Sequence, residues 1–247
     1  MKNYKKNLKI LQDAHVYSKE MEHDACGVGL IASTEGKKSR KVVEYGINAL
    51  KAVWHRGAVD ADGKTGDGAG IHLEIPSDFF TEKIELTGHK HDGSDICVGM
   101  IFLPRNNYSA QENSRTLVES ELTKSNFSIY GWRQVPVNPK VLGEKANLTR
   151  PEITQVLFKH NDKTLTGKDL ERKIYESRRK IEKESIKNAI EGFYICSLSS
   201  KSIIYKGMFL AESIAEFYLD LKDERFISRF VIFHQRFSTN TAPSWDL

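Results

Sequence analysis

The stretch Asp24-Ala25-Cys26-Gly27-Val28-Gly29-Leu30-Ile31-Ala32 places a cysteine at the head of a small, apolar, strand-like run, directly after a polar, charged leader. If residues 1–25 are removed, a cysteine in this position becomes an N-terminal nucleophile. Its own freed α-amino group then serves as the base, and no histidine partner is required. A free α-amine titrates at about 7.7–8.0 and a free thiol at about 8.5, close enough to exchange a proton near neutral pH. The plainer alternative is a small buried hydrophobe that opens a strand, because free cysteine is among the most buried residue types.

Composition limits the classes to be considered. A chain of 247 residues can bury a sizeable core in one or two domains. With 28% charged and 39% apolar residues, it reads neither as a disordered chain nor as a membrane protein. The net charge of +4 comes partly from Lys2, Lys5, Lys6 and Lys9 and partly from residues 172–187. A charge so small and so divided gives no argument for nucleic acid as a partner. Residues 1–25 lack an apolar stretch long enough for a signal peptide, and no run approaches a transmembrane span. The three cysteines, Cys26, Cys97 and Cys196, are odd in number and lack C-x-x-C spacing, which argues against a disulfide framework and against a zinc or other metal site. A reducing cytoplasm is the expected location, and the sequons at Asn107, Asn126 and Asn147 then carry no meaning.

Working outward from Cys26, short apolar runs alternate with charged helical ones. Residues 26–33 read as a strand, and residues 39–54 as a helix with Val43, Ile47, Leu50 and Trp54 on one stripe. Residues 70–75 alternate as a strand does. Residues 95–103 form a near-continuous apolar run and read as a buried strand, which gives Cys97 a core role. Residues 106–124 read as helix, and 127–137 and 152–158 as strands. Residues 170–190 form a long charged helix whose Leu170, Ile174 and Ile181 share one face. Residues 193–198 and 202–205 suggest a hairpin, with Cys196 in an apolar strand, and residues 226–237 hold the last strand. Strands outnumber helices and many are joined by short turns. The expectation is an α+β fold of antiparallel-rich sheets with helices packed outside, not a doubly wound parallel sheet.

Three segments offer chemistry, each with a plain structural alternative. Gly63-Lys64-Thr65 resembles the end of a phosphate loop, but Ala58 stands where the first glycine is required. Asp60, Asp62 and Asp67 suggest a calcium loop, but Lys64 stands where an oxygen ligand is needed. What remains is a tight polar loop over residues 63–70 that brings backbone close to another part of the protein. Trp54-His55-Arg56-Gly57 ends the first helix, and Arg56 reads either as a site residue or as a cap on helix carbonyls. His234-Gln235-Arg236-Phe237-Ser238-Thr239-Asn240-Thr241 follows an apolar run. There Arg236 could grip a carboxylate through two parallel hydrogen bonds or simply form a strand-end salt bridge.

Taken together, five segments resemble the amino-terminal amidotransferase domain of glutamate synthase large subunits. They are Asp24-Ala25-Cys26-Gly27-Val28-Gly29, Trp54-His55-Arg56-Gly57-Ala58, Asp62-Gly63-Lys64-Thr65-Gly66-Asp67-Gly68-Ala69-Gly70, Phe193-Tyr194-Ile195-Cys196-Ser197-Leu198-Ser199, and His234 through Trp245. Order and spacing match from Cys26 to Leu247. The resemblance implies a class II glutamine amidotransferase of the N-terminal nucleophile hydrolase superfamily, with a four-layer αββα sandwich. Residues 1–25 are then the propeptide and residues 26–247 the amidotransferase domain. The resemblance assigns Cys26 as nucleophile, Arg56 as the arginine near it, Arg236 as the grip on the substrate carboxylate, and Thr239 and Asn240 to the L-glutamine pocket. It also implies a synthase region outside this chain that aminates 2-oxoglutarate with FMN, an iron–sulfur cluster and electrons from a partner such as a small subunit. No cofactor is expected within this segment. The family continues shortly after Leu247 into a His-Asn-Gly-Glu segment that supplies the oxyanion hole, so the domain is expected to be incomplete at its C-terminus and this segment alone to have little or no glutaminase activity. Two alternatives stay open: another class II amidotransferase, and a non-catalytic fragment with a structural or partner-binding role.

Overall fold

The computed structural model describes residues 2–14, 27–238 and 241–246. Cys26, Thr239 and Asn240, three of the five predicted site residues, lie outside the described residues. Helix α1 (Lys2–Asp13) precedes strand β1 (Gly27–Ala32) and helix α2 (Arg40–Ala52). Then come β2 (Ala69–Glu74), α3 (Ser77–Glu85), β3 (Cys97–Leu103), α4 (Tyr108–Lys124) and β4 (Phe127–Gln134). The order continues through α5 (Glu144–Leu148), β5 (Glu152–His160), α6 (Gly167–Lys187), β6 (Tyr194–Ser199), β7 (Ser202–Gly207), α7 (Ile214–Phe217) and β8 (Phe230–Gln235). The strands form two four-stranded antiparallel sheets, β1-β8-β2-β7 and β4-β5-β3-β6. The α+β, antiparallel-rich expectation therefore holds, and the arrangement is consistent with a sandwich.

Alternation along β3 makes the layers. All seven of its residues are buried. Val98, Met100 and Phe102 point into the core shared with the first sheet, while Cys97, Ile101 and Leu103 point into a second core under α4 and α6. Leu170, Ile174 and Ile181 of α6 fill that second core, as their spacing predicts. Helix α2 starts at Ser39, whose hydroxyl accepts the Val42 amide, and buries Val43, Ile47 and Leu50. Gly46 lets it settle on the first sheet, since a Cβ there would lie 2.4 Å from Val231. Trp54 does not continue the stripe: it is 59% exposed. The α-helix ends at Ala52, and Trp54–Arg56 is a 3-10 turn, whose tighter winding breaks the 3.6-residue register.

The hairpin expected from residues 193–198 and 202–205 is not formed. Strand β6 pairs with β3 in the second sheet and β7 with β2 in the first, so Ser200-Lys201 is a crossing between sheets. The Glu171 carboxylate of α6 holds that crossing by accepting Ser199 Oγ (2.9 Å), Ser200 N (2.7 Å) and Ser200 Oγ (2.7 Å). A short turn between two apolar runs looks the same in sequence whether its strands share a sheet or change sheets. The sequence reading also leaves α1, α3, α5 and α7 unassigned.

A buried polar network joins the sheets. Arg133 of β4 donates to both oxygens of Asp220, at 2.8 and 2.9 Å, and to Gln155 Oε1 at 2.6 Å. Gln155 Nε2 donates to Tyr205 OH at 3.2 Å, and Tyr205 OH donates to Asp220 at 3.0 Å. Tyr205 belongs to the first sheet, and Arg133 and Gln155 to the second. Removing one partner from a buried ion pair costs about 3–5 kcal/mol, because a charge is left uncompensated, whereas replacing both by apolar groups is often neutral. Asp220→Ala should therefore destabilise the fold by about 3–5 kcal/mol in urea unfolding. The double variant Arg133→Met/Asp220→Leu should be distinctly less destabilised.

Candidate active site

Strand β8 is paired on both edges. Its last residue, Gln235, lies opposite Gly27 of β1 on one side and Ala69 of β2 on the other. This pairing places the residue that follows Cys26 in the chain beside the segment that carries Arg236. The Arg56 turn packs onto the same point. A Cβ on Gly27 would lie 2.8 Å from Gln235 O and 3.1 Å from Arg56 Cβ, so only glycine allows the approach. Arg56 and Arg236, far apart in sequence, are thus brought to one end of the first sheet. The guanidinium of Arg56 is exposed and has no hydrogen bond or ion pair among the described residues, so the helix-cap alternative is not seen for its side chain.

The tight polar loop expected over residues 63–70 forms the third wall. Asp62 organises it. Its carboxylate accepts Thr65 Oγ1 (2.6 Å), Thr65 N (2.7 Å) and Lys64 N (2.9 Å). These bonds, that of the Thr65 hydroxyl first, hold its carboxyl well below the usual carboxylate range. The loop closes through a bridge between Val59 and Gly66. The backbone it presents belongs to Gly68, whose carbonyl accepts Arg236 N at 2.8 Å and Gln235 Nε2 at 3.3 Å. Asp67 adds a hydrogen bond from Ser238 N to its Oδ2. Thr65 and Asp60 of this loop dock it on α5, where Thr65 Oγ1 accepts Ala146 N and Lys145 of the helix pairs with Asp60 at 2.7 Å.

Arg236 donates through Nη2 to Thr241 Oγ1 at 2.5 Å. Its Nη1 is buried and has no partner among the described residues. Gln235 Oε1 and Ser238 Oγ are in the same condition. A buried polar atom left unpaired costs about 1–3 kcal/mol. Three such atoms within four consecutive residues mark a place built for something other than stability. Arg236 also borders a cavity of about 200 Å³ lined by Gly70, His72, Lys206, His234 and Trp245. Burial holds the His72 imidazole below its usual pKa; partial burial, and then the charge of Arg236, does the same for His234. Burial thus disfavours the charged form of both histidines, and Arg236 and Lys206 are the lysine and arginine side chains that line this cavity. Trp245 closes one side and is anchored by its indole N–H on Ala146 O at 3.0 Å.

The two described cysteines stay out of this chemistry. Cys97 and Cys196 are buried on opposite faces of the second sheet. Burial pushes the Cys196 thiol up to about 12 and that of Cys97 further still. Neither supplies a thiolate near neutral pH. Among the described residues no group of three or more His, Cys, Asp and Glu side chains is placed to hold a metal ion. Nor is any described helix long and apolar enough to cross a membrane.

Sequence reasoning overlooked Gln235 and Asp67 as individual residues. Gln235 carries a legible signal: it takes an inward position of β8, in alternation with Val231 and Phe233, where an apolar residue belongs. Asp67 carries none, because its partner is 171 residues away.

Comparison with known proteins agrees with this geometry. The family model for class II glutamine amidotransferases matches residues 26–247. The chain is 55% identical over 245 residues to the glutamate synthase [NADPH] large chain of Azospirillum brasilense, covering 99% of this chain and 16% of that protein. It is 41% identical over 227 residues to ferredoxin-dependent glutamate synthase 2 of Synechocystis, covering 92% and 14%. Against the glutamate synthase [NADPH] large chain of Bacillus subtilis it is 37% identical over 238 residues, covering 94% and 15%. The chain thus spans about one-sixth or less of the length of these relatives. With a family model that covers all but its first 25 residues, the chain belongs to the class II glutamine amidotransferases.

Proposed function

We propose that this chain is the glutaminase region of a glutamate synthase, which hydrolyses L-glutamine to glutamate and ammonia, with residues 1–25 as propeptide and 26–247 as amidotransferase domain. The observation that carries this reading is the meeting of the Arg56 turn, Gly27 and Arg236 at one sheet end, where Arg236 Nη1 is buried and unpaired. A guanidinium nitrogen held out of water without an acceptor is suited to a substrate carboxylate. In this mechanism the Cys26 thiolate attacks the side-chain amide carbon of glutamine. The Cys26 α-amine takes up the thiol proton and delivers it to the departing nitrogen. The C–N bond breaks, ammonia leaves, and a glutamyl thioester remains. Water then attacks the same carbon, giving a proton to the Cys26 α-amine, which passes it to the departing sulfur; the C–S bond breaks, glutamate departs and the thiol is restored. Arg56 lies near the nucleophile, Arg236 grips the α-carboxylate, and Thr239 and Asn240 line the pocket.

The proposed whole enzyme passes ammonia to 2-oxoglutarate in a synthase region that uses FMN, an iron–sulfur cluster and electrons delivered by a partner such as a small subunit. That chemistry belongs to sequence beyond this segment. Cys97 and Cys196, buried on opposite faces of one sheet, offer no cluster ligation. A cytoplasmic location fits the three cysteines without disulfide spacing.

Processing provides the first test. The mature native protein should begin at Cys26 by intact-mass measurement, and Cys26→Ala should abolish glutamine hydrolysis. A glutaminase-active form that retains residues 1–25 would overturn the assignment of the base. Alkylation of the folded protein should label Cys26 and spare Cys97 and Cys196, whose thiols are protected by burial.

Substrate grip provides the second. Arg236→Lys exchanges a planar fork for a point charge. The expected result is a KM for glutamine raised about tenfold or more, equivalent to about 1.4 kcal/mol or more. An unchanged KM would remove Arg236 from the pocket.

A further inference from the structure

We infer that Gln235 is a positioning residue of the glutaminase site, whose buried carboxamide sets the spacing of the strand that follows Cys26, the Arg56 turn and the loop that holds Arg236. This rests on the glutaminase reading above. Gln235 is 1% exposed, at the one point where all three segments meet. Its backbone pairs with Gly27 and with Ala69. Its Nε2 donates to Gly68 O at 3.3 Å, and that same carbonyl accepts the backbone N–H of Arg236. Its side chain fills the space that a Cβ on Gly57 would need, with Nε2 2.0 Å and Cδ 2.6 Å from that point. Its own Cβ stands 3.0 Å from where a Cβ on Gly27 would be. Two glycines, one after the nucleophile and one after Arg56, therefore leave room for this one glutamine.

Packing does not explain the choice of residue. Methionine or leucine would fill similar space without desolvating an amide. Gln235 Oε1 is buried without a partner among the described residues, so the carboxamide is retained at a cost to stability. What it provides is a fixed tie to Gly68 O from a side chain wedged between Gly27 and Gly57. Catalysis depends on such spacing, because a misplacement of about 1 Å costs about a hundredfold in rate.

The test uses the native polypeptide and two substitutions. Gln235→Met keeps the bulk and removes the donor. Its kcat for glutamine hydrolysis should fall about 10- to 100-fold, with KM changed less than about threefold and circular dichroism like that of wild type. Gln235→Glu keeps the shape and can donate to Gly68 O only while protonated. Its activity relative to wild type should be highest at low pH and fall as pH rises through the pKa of the buried acid. The charged and titratable groups around residue 235 are Arg56 from the turn, Asp67 from the loop, His234 from β8 and Arg236 from the segment just after it. All four are common to both proteins, so the ratio isolates residue 235. A methionine variant with wild-type kcat, or a glutamate variant whose relative activity is flat with pH, would overturn the inference. The wild type compared is the full-length enzyme that carries this segment: its inactivity would overturn the glutaminase reading itself and this inference with it, whereas an active full-length wild type with unaffected variants would overturn this inference alone.

Discussion

The antiparallel pairing of β8, with β1 on one edge and β2 on the other, holds every described part of the candidate site. Antiparallel neighbours lie about 4.7–4.9 Å apart, so the pairing fixes the ends of three strands at the scale of a substrate. Gly27, Gln235 and Ala69 share one rung of this ladder. A strand added to a sheet is a rigid mount, and the residues at its end inherit that rigidity. The Arg56 turn and the Gly68 loop then need only dock against an edge that is already in place.

That docking relies on what is missing from the side chains. Gly27 and Gly57 meet Gln235 of β8 at distances that forbid a Cβ, and Gly68, in the loop that docks on Arg236, takes φ +135, a conformation that strains any side chain. Close approach of backbone to backbone shortens the lever between groups that must act together. The adjoining face of the sheet is open, with Val28 at 58%, Leu30 at 61% and Ile232 at 40% exposure. The site therefore lies at the boundary between a packed core and an open sheet face.

Polar interactions divide into those that serve the frame and those that serve the site. The frame uses paired groups: Arg133 with Asp220, Gln155 and Tyr205 between the sheets, and Glu171 under the crossing from β6 to β7. Such networks are satisfied because low dielectric makes an orphan costly. The segment 235–238 breaks the rule with Gln235 Oε1, Arg236 Nη1 and Ser238 Oγ. Departures from local consistency are expected where a protein works, and here they coincide with the arginine singled out by sequence.

The amino-acid sequence by itself determined the elements whose signals are local. Val43, Ile47 and Leu50 recur at helical spacing, residues 97–103 are apolar throughout, and Leu170, Ile174 and Ile181 share a helix face; each takes the place that its pattern predicts. The ordered motifs around Cys26, Arg56, residues 62–70 and Arg236 were enough to indicate the family, because their residue types and spacing are properties of the chain. Only the tertiary structure decided which strands share a sheet. It placed β6 and β7 apart although two residues separate them, and it inserted β8 between β1 and β2 across some 200 and 160 residues of chain. Pairing over such distances is settled by which faces bury together, and no local pattern records it. For the same reason Trp54 turned outward where a 3-10 turn broke the helix, and Asp67 and Gln235 gained their roles from partners that the chain brings near only when folded.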